Sequence, residues 1–182
     1  PEVREAVCQC FDQYQAIAAD HLTWLWREEP SEGPDKFAYR DAPSMRAMVG
    51  KLRPNDLLSF GYTGGEKPHD ASPWLFHVLG QRAWKANMGR KLGALEFSVP
   101  LLFHEEHPTV LPRLFLDFAE RLKAHGHAGY ALNLSMVRED ENQPMEAFMA
   151  EKIPGLDAGD NILLALGNGG DIARHIKTVS WL

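Results

Sequence analysis

Two short histidine arrangements are the first residues in this sequence whose types could do chemistry. His104-Glu105-Glu106-His107 puts two imidazoles and two carboxylates side by side. A zinc-protease helix needs His-Glu-x-x-His, so that both imidazoles share one face. Here the histidines are at i and i+3, Pro108 follows at once, and no third and fourth ligands are readable. The run reads as a strand end leading into a helix cap. His125-Gly126-His127 could chelate through i and i+2, but Gly126 reads better as a helix stop. Cys8 and Cys10 have no distant cysteine partner for a structural zinc site. On a helix they point in different directions, which disfavours a disulfide between them. Two thiols without a spaced framework suggest a reducing compartment. No metal site and no cofactor are expected.

The glycine clusters are Gly61-Tyr62-Thr63-Gly64-Gly65 and Gly167-Asn168-Gly169-Gly170. Neither has the Lys of a phosphate loop or the spacing of a dinucleotide fingerprint, so both read as turns. No Gly-x-Ser-x-Gly elbow occurs, and no spacing joins Ser, His and Asp into a triad. The acidic loops remain. Glu28, Glu29, Glu32 and Asp35 fall close together, Glu139, Asp140 and Glu141 are consecutive, and Asp157 and Asp160 follow a Pro-Gly turn. Any one of these loops reads equally well as solvated surface. Together they suit a surface that meets a basic partner, because complementary charge steers association and competes with phosphate.

Periodicity gives the elements that must position these residues. Val3, Val7, Cys10, Tyr14, Ile17 and His21 form a helical stripe over about 1–21. Residues 22–26 begin a strand, and 28–35 form a charged Pro/Gly loop. Ala42-Pro43-Ser44 opens a short helix with Met45, Met48, Val49 and Leu52 facing inward. Leu58, Phe60 and Tyr62 alternate with small residues, and Trp74, Phe76 and Val78 supply an antiparallel neighbour. The apolar run 92–103 predicts a strand with a bulge or an edge at Pro100. His107-Pro108-Thr109 starts a helix with Leu111, Leu114, Phe118, Leu122 and His125 inward, stopped by Gly126. Tyr130, Leu132, Leu134 and Met136 predict the cleanest strand, followed by a charged turn at 139–141 and a short helix over 144–151. Ile162, Leu164 and Leu166 read as strand-like, and 176–182 as a final strand. Strands and helices do not alternate strictly. The fold class expected is therefore α+β, a mostly antiparallel or mixed sheet with amphipathic helices packed on it, as one domain over 1–182.

The 182 residues carry 45% hydrophobic and 24% charged side chains, five Trp and nine Phe, enough for a core. No apolar run approaches the ~20 residues that span a bilayer. No secretory signal is readable, which points to the cytoplasm. A net charge of -6 disfavours nucleic acid as a direct partner and suits a basic protein. The chain starts on Pro1 and stops on an apolar segment, as the core of a longer protein would.

Three segments carry a resemblance. They are Gly126-His127-Ala128-Gly129-Tyr130-Ala131, Ile153-Pro154-Gly155-Leu156-Asp157 and Ile176-Lys177-Thr178-Val179-Ser180-Trp181-Leu182. With Trp74-Leu75-Phe76 and Leu95-Glu96-Phe97-Ser98, they resemble the type VI immunity protein family over about 55–182. The resemblance implies an immunity protein that binds and neutralises a cognate type VI secretion effector. In some members the effector is a nuclease-type toxin, and neutralisation would come from blocking its active site or substrate cleft. The resemblance brings no catalytic residues, so no enzyme is implied. The motifs themselves read as structural: Pro154 and Gly155 turn the chain to present Asp157, and Val179 and Trp181 share one strand face. Two alternatives stay open. One is a hydrolase or transferase whose site gathers distant residues such as His77, His104, His127 and Asp157. The other is a structural component of the secretion machinery.

Overall fold

The computed structural model describes residues 2–68, 70–80, 82, 93–124, 126–135, 139–157 and 179–181. Helix α1 runs Glu2–Ala18 and passes through a 3-10 turn, Ala19–His21, into β1, Trp24–Arg27. Then come β2 (Lys36–Ala38), a 3-10 turn at Tyr39–Asp41, and α2 (Met45–Val49). Strands β3 (Leu58–Thr63), β4 (Leu75–Gly80) and β5 (Ala94–Ser98) follow, then helices α3 (Leu101–Glu106) and α4 (Val110–Leu122). The remaining elements are β6 (Gly126–Ala128), β7 (Tyr130–Ala131), α5 (Glu139–Lys152), β8 (Leu156–Asp157) and β9 (Val179–Trp181). The α+β class with an antiparallel sheet is what the sequence predicts.

The main sheet has five strands in the order β2-β1-β3-β4-β5, and every pair is antiparallel. Its register sets the core. Phe37, Leu25, Tyr62, Phe76 and Phe97 lie opposite one another in a row across all five strands. Antiparallel partners share a face, so this row makes one continuous apolar surface. Helix α1 lies on it: the Phe11 ring stacks on Tyr62 at 4.0 Å and meets Phe76 edge-on at 5.1 Å. The Tyr14 hydroxyl donates to Ser98 O at 2.8 Å and pins the same helix to β5. Phe118 of α4 closes the end of the row against Phe97, ring centroids 4.8 Å apart.

The stripe of α1 is broader than its predicted spacing. Cys8, Phe11 and Ala18 are buried with Val7, Cys10 and Tyr14, whereas Val3 and His21 are exposed. Both thiols are free and buried. For α2 the expectation holds: Ser44 caps it by accepting from Ala47 N at 3.2 Å, and Met45, Met48, Val49 and Leu52 are buried.

Several boundaries differ from the sequence reading. Pro100 sits at the N-cap of α3, so the run 93–103 divides into an edge strand and a helix. His104 therefore lies in a helix, with His107 at its C-cap. Helix α4 ends at Lys123, which takes the left-handed conformation (φ 51°), while Ala124 N donates to Ala119 O at 3.0 Å. Gly126 is thus no helix stop. It opens β6, where an added Cβ would come within 3.0 Å of the Phe115 ring. The described part of the segment 129–137, residues 129–135, adds no strand to the main sheet. Among its described residues Tyr130–Ala131 is extended and paired in parallel with β8, and Tyr130 is exposed. Glu139, Asp140 and Glu141 form the first turn of α5 instead of a separate turn; carboxylates suit a helix N-terminus. Val179–Trp181 pairs antiparallel with β6, as a final strand should. His125, Met136, Asp160, Ile162, Leu164, Leu166, the 167–170 glycines and residues 176–178 lie outside the described residues.

Gly61 is not a turn residue either. It sits inside β3, and the Trp26 indole lies where its Cβ would be. On that face of the sheet Lys36, Trp26, Gly61, His77 and Glu96 lie in register, and the Trp26 and His77 rings are 4.7 Å apart.

Candidate partner-binding surface

The first acidic loop leaves the sheet at Arg27, the last residue of β1. Its side chain shares the core face with Phe60 and is buried. The guanidinium bends back under the loop, donating from Nη1 to Pro30 O at 2.7 Å and from Nη2 to Glu32 O at 2.9 Å. It also lies 5.6 Å from the centre of the Phe37 ring. The Arg27 backbone N–H donates to Asp35 O at 2.8 Å and closes the loop base. Gly33 turns the chain with φ 87° beside Nη2, a conformation and a space that favour glycine. A planar five-donor head can bind two divergent carbonyls at once, which makes Arg27 the scaffold of the loop. The sequence reading missed it; an arginine in an otherwise apolar strand was the available signal.

The four acids of this loop have different roles. Glu29 is half-buried, accepts from Leu57 N at 2.6 Å and forms an ion pair with Arg82. Its charge holds the loop to the chain entering β3. Glu28 is exposed and accepts from the Ser59 hydroxyl at 3.3 Å. Glu32 pairs with Arg53 at 3.4 Å with both side chains largely in solvent, which screens the pair to little net effect. Asp35 is exposed. Glu28, Glu32 and Asp35 therefore present charge outward.

The other acidic residues lie on different elements. Asp157 is half-buried in β8, with a carboxylate oxygen 4.0 Å from His127 Nε2 in β6. Of His77, His104, His127 and Asp157, the last two are thus brought together. His77 lies against Trp26 in the main sheet, and His104 sits in α3 with a buried Nδ1 that has no hydrogen-bond partner. Among the described residues no group of three or more His, Cys, Asp or Glu converges to hold a metal. No described helix is long and apolar enough to cross a membrane.

A second concave surface lies beside α1. A cleft of about 430 Å³ is lined by Phe11, Asp12, Gln15, Tyr39, Arg46 and Tyr62, among others. Arg46 holds both Glu5, at 2.5 Å, and Asp12, at 2.7 Å. That hydrogen bond, with a second from Gln9, keeps the Glu5 carboxyl below its ordinary pKa. Gln15 Nε2 donates to the Tyr39 hydroxyl at 2.7 Å. Burial pushes the Tyr39 phenol up, and the Tyr62 phenol well up, so both stay protonated at neutral pH.

Comparison with known proteins gives three findings. The family model described as type VI immunity for VRR-NUC matches residues 6–182. The fold is also that of a solved structure, Pseudomonas aeruginosa T6SS protein PA0821, at a TM-score of 0.87 and 52% sequence identity. That match covers 91% of this chain and 46% of the solved one, so the chain spans less than half of that protein's length. Among curated proteins, none matches.

Proposed function

The chain belongs to the family of type VI immunity proteins for VRR-NUC, and from that premise we propose that it binds and neutralises a nuclease effector of the type VI system. The region 1–182 acts as one domain. It works by occupation rather than catalysis, in the cytoplasm, where a nuclease toxin meets its substrate. A nuclease must carry a basic cleft for its polyanion, and a surface of exposed carboxylates can occupy that cleft or its rim. The family match carries the reading. Support for the docking surface comes from the loop held by Arg27, which turns Glu28, Glu32 and Asp35 outward on a fixed backbone. Glu139, Asp140, Glu141, Asp157 and Asp160 are further candidates, with Asp157 the least available because it faces His127.

Association kinetics with the purified effector test this. Changing Glu28, Glu32 and Asp35 to Ser, with Glu29 left to hold the loop, removes three outward charges. A unit charge about 7 Å from a cation is worth about 0.6 kcal/mol in water, and about 0.25 kcal/mol once screened at a Debye length of about 8 Å. Three such charges give an association rate about fourfold slower at physiological salt. The difference should vanish near 1 M salt. Equal association rates at every salt concentration would remove this loop from the interface.

A further inference from the structure

Helix α5 has its polarity reversed. A surface helix turns its apolar stripe toward the body of the protein and its polar side outward. In α5 the half-buried positions are Asn142, Glu146, Met149 and Ala150, which follow helical spacing along one side. Two of the four are polar, and the Asn142 amide donates to Ser135 O at 2.6 Å. The outward side carries Met145 and Phe148, 55% and 58% exposed. Three residues apart, they stand together on the helix surface. Lys152 lies one turn further on, its Nζ 5.5 Å from the centre of the Phe148 ring. Packing of the helix does not account for these two side chains, since they are ones it leaves in solvent. The helix also concentrates negative charge. Glu139, Asp140, Glu141, Glu146 and Glu151 stand against Lys152 alone, five carboxylates to one ammonium. Glu151 is exposed about one turn beyond Phe148.

These two features together select the kind of partner. Helices that lie on lipid carry Lys and Arg on their polar face, and an anionic membrane would repel this one. A second copy of the chain would set five carboxylates against five. A basic protein surface with an apolar recess matches both the charge and the exposed side chains. We infer that the outward side of α5 docks on the effector, with Met145 and Phe148 entering an apolar recess of a basic surface. The inference rests on the immunity reading, and it supplies apolar anchors on the same helix as Glu139, Asp140 and Glu141. Aromatic residues and methionine are enriched at interfaces, where charge is moved to the rim. Desolvated anchors act on the dissociation rate, whereas outward charge acts on the association rate.

The test changes Met145→Ser and Phe148→Ser singly in the whole chain, with binding to the purified effector followed by surface plasmon resonance. Both positions are exposed, so each variant should melt within about 3 °C of wild type. Phe148→Ser should dissociate about tenfold faster and Met145→Ser about threefold faster, with association within about twofold of wild type. Phe148→Leu keeps apolar surface and should fall between Phe148→Ser and wild type. Unchanged dissociation in Phe148→Ser overturns the α5 assignment and leaves the immunity reading standing. A larger fall in melting temperature also overturns it, because the side chain is then packed by the chain itself. So does a wild-type dimer that Phe148→Ser separates, or wild-type binding to phosphatidylglycerol vesicles that Phe148→Ser abolishes. An effector that does not bind the wild type overturns the immunity reading and, with it, the assignment of α5.

Discussion

Arg27→Met removes the scaffold of the acidic loop while keeping an unbranched chain of similar reach. The guanidinium makes two charge-assisted bonds, to Pro30 O and Glu32 O, each worth about 1.5–3 kcal/mol. Its position over Phe37 adds about 0.5–1 kcal/mol. Against this, the buried cation has a desolvation penalty that Met does not incur, and its Nε is buried without a partner, which costs about 1–3 kcal/mol. The balance is a loss of about 2–3 kcal/mol, or roughly 5–10 °C in Tm for a chain of this length. Arg27→Lys keeps the charge, but a point-like ammonium lacks the fixed fork that binds both carbonyls, so it should recover less than half of the loss. A thermal melt by circular dichroism gives the global effect. A glutamate-specific protease gives the local one, because Glu28, Glu29 and Glu32 all lie in the loop, and cleavage there should speed up about tenfold below the melting range. A Met variant that melts within 1 °C of wild type and is cut no faster would refute the scaffold role of Arg27.

Two further outcomes follow from the packing. Gly61→Ala drives a Cβ into the Trp26 indole, so it should cost about 1–3 kcal/mol by overpacking and red-shift tryptophan fluorescence; adding Trp26→Leu should recover most of the loss. The buried thiols should stay unreactive toward aromatic disulfides at pH 8 in the native protein, since burial raises Cys8 and pushes Cys10 up to about 12 from an ordinary 9.0. A folded pKa raised above the unfolded one means stability that is intact below pH 9 and lost as pH rises toward 12; a Cys10→Ala variant with the same alkaline stability profile as wild type would contradict this.

The main sheet was legible where large apolar side chains alternate with small ones, although β3 is buried on both faces. Leu58, Phe60 and Tyr62 alternate with small residues, and Val78 and Phe76 lie opposite Phe60 and Tyr62 in antiparallel register. Ser44, Met45 and Met48 announced α2 by a cap and a stripe. What failed were positions where a long-range neighbour decides. Gly61 and Gly126 looked like turn and stop residues because glycine usually serves there, yet each sits in a strand under a ring from elsewhere in the chain, Trp26 in one case and Phe115 in the other. The alternation of Tyr130 to Leu134 is equally clean, but among the described residues it acquires a single two-residue partner strand, and Tyr130 is left in solvent. Period alone says which residues could share a face, not whether anything covers that face.

The candidate surface was legible as a count of charges and not as a pattern of pairing. Glu28, Glu29, Glu32 and Asp35 are equivalent in the sequence, yet Glu29 is drawn inward by Leu57 N and Arg82, and the others stay outside. Arg27 and Arg46 look like ordinary basic residues, but one shapes the loop through carbonyl oxygens and the other binds two carboxylates at the cleft mouth. A net charge of -6 sets long-range attraction for a basic partner, which acts before contact and is screened within about 8 Å at physiological salt. Residence on the partner needs desolvated contacts, and these depend on which apolar side chains the fold leaves outside. Met145 and Phe148 could not be singled out from the sequence, because tertiary packing, and not the apolar pattern, decides which side of α5 meets the body. If charge and apolar contact act on different rates, the loop and α5 variants combined should lose affinity by the product of their separate effects. Coupling much larger than experimental error would place both features on one contact.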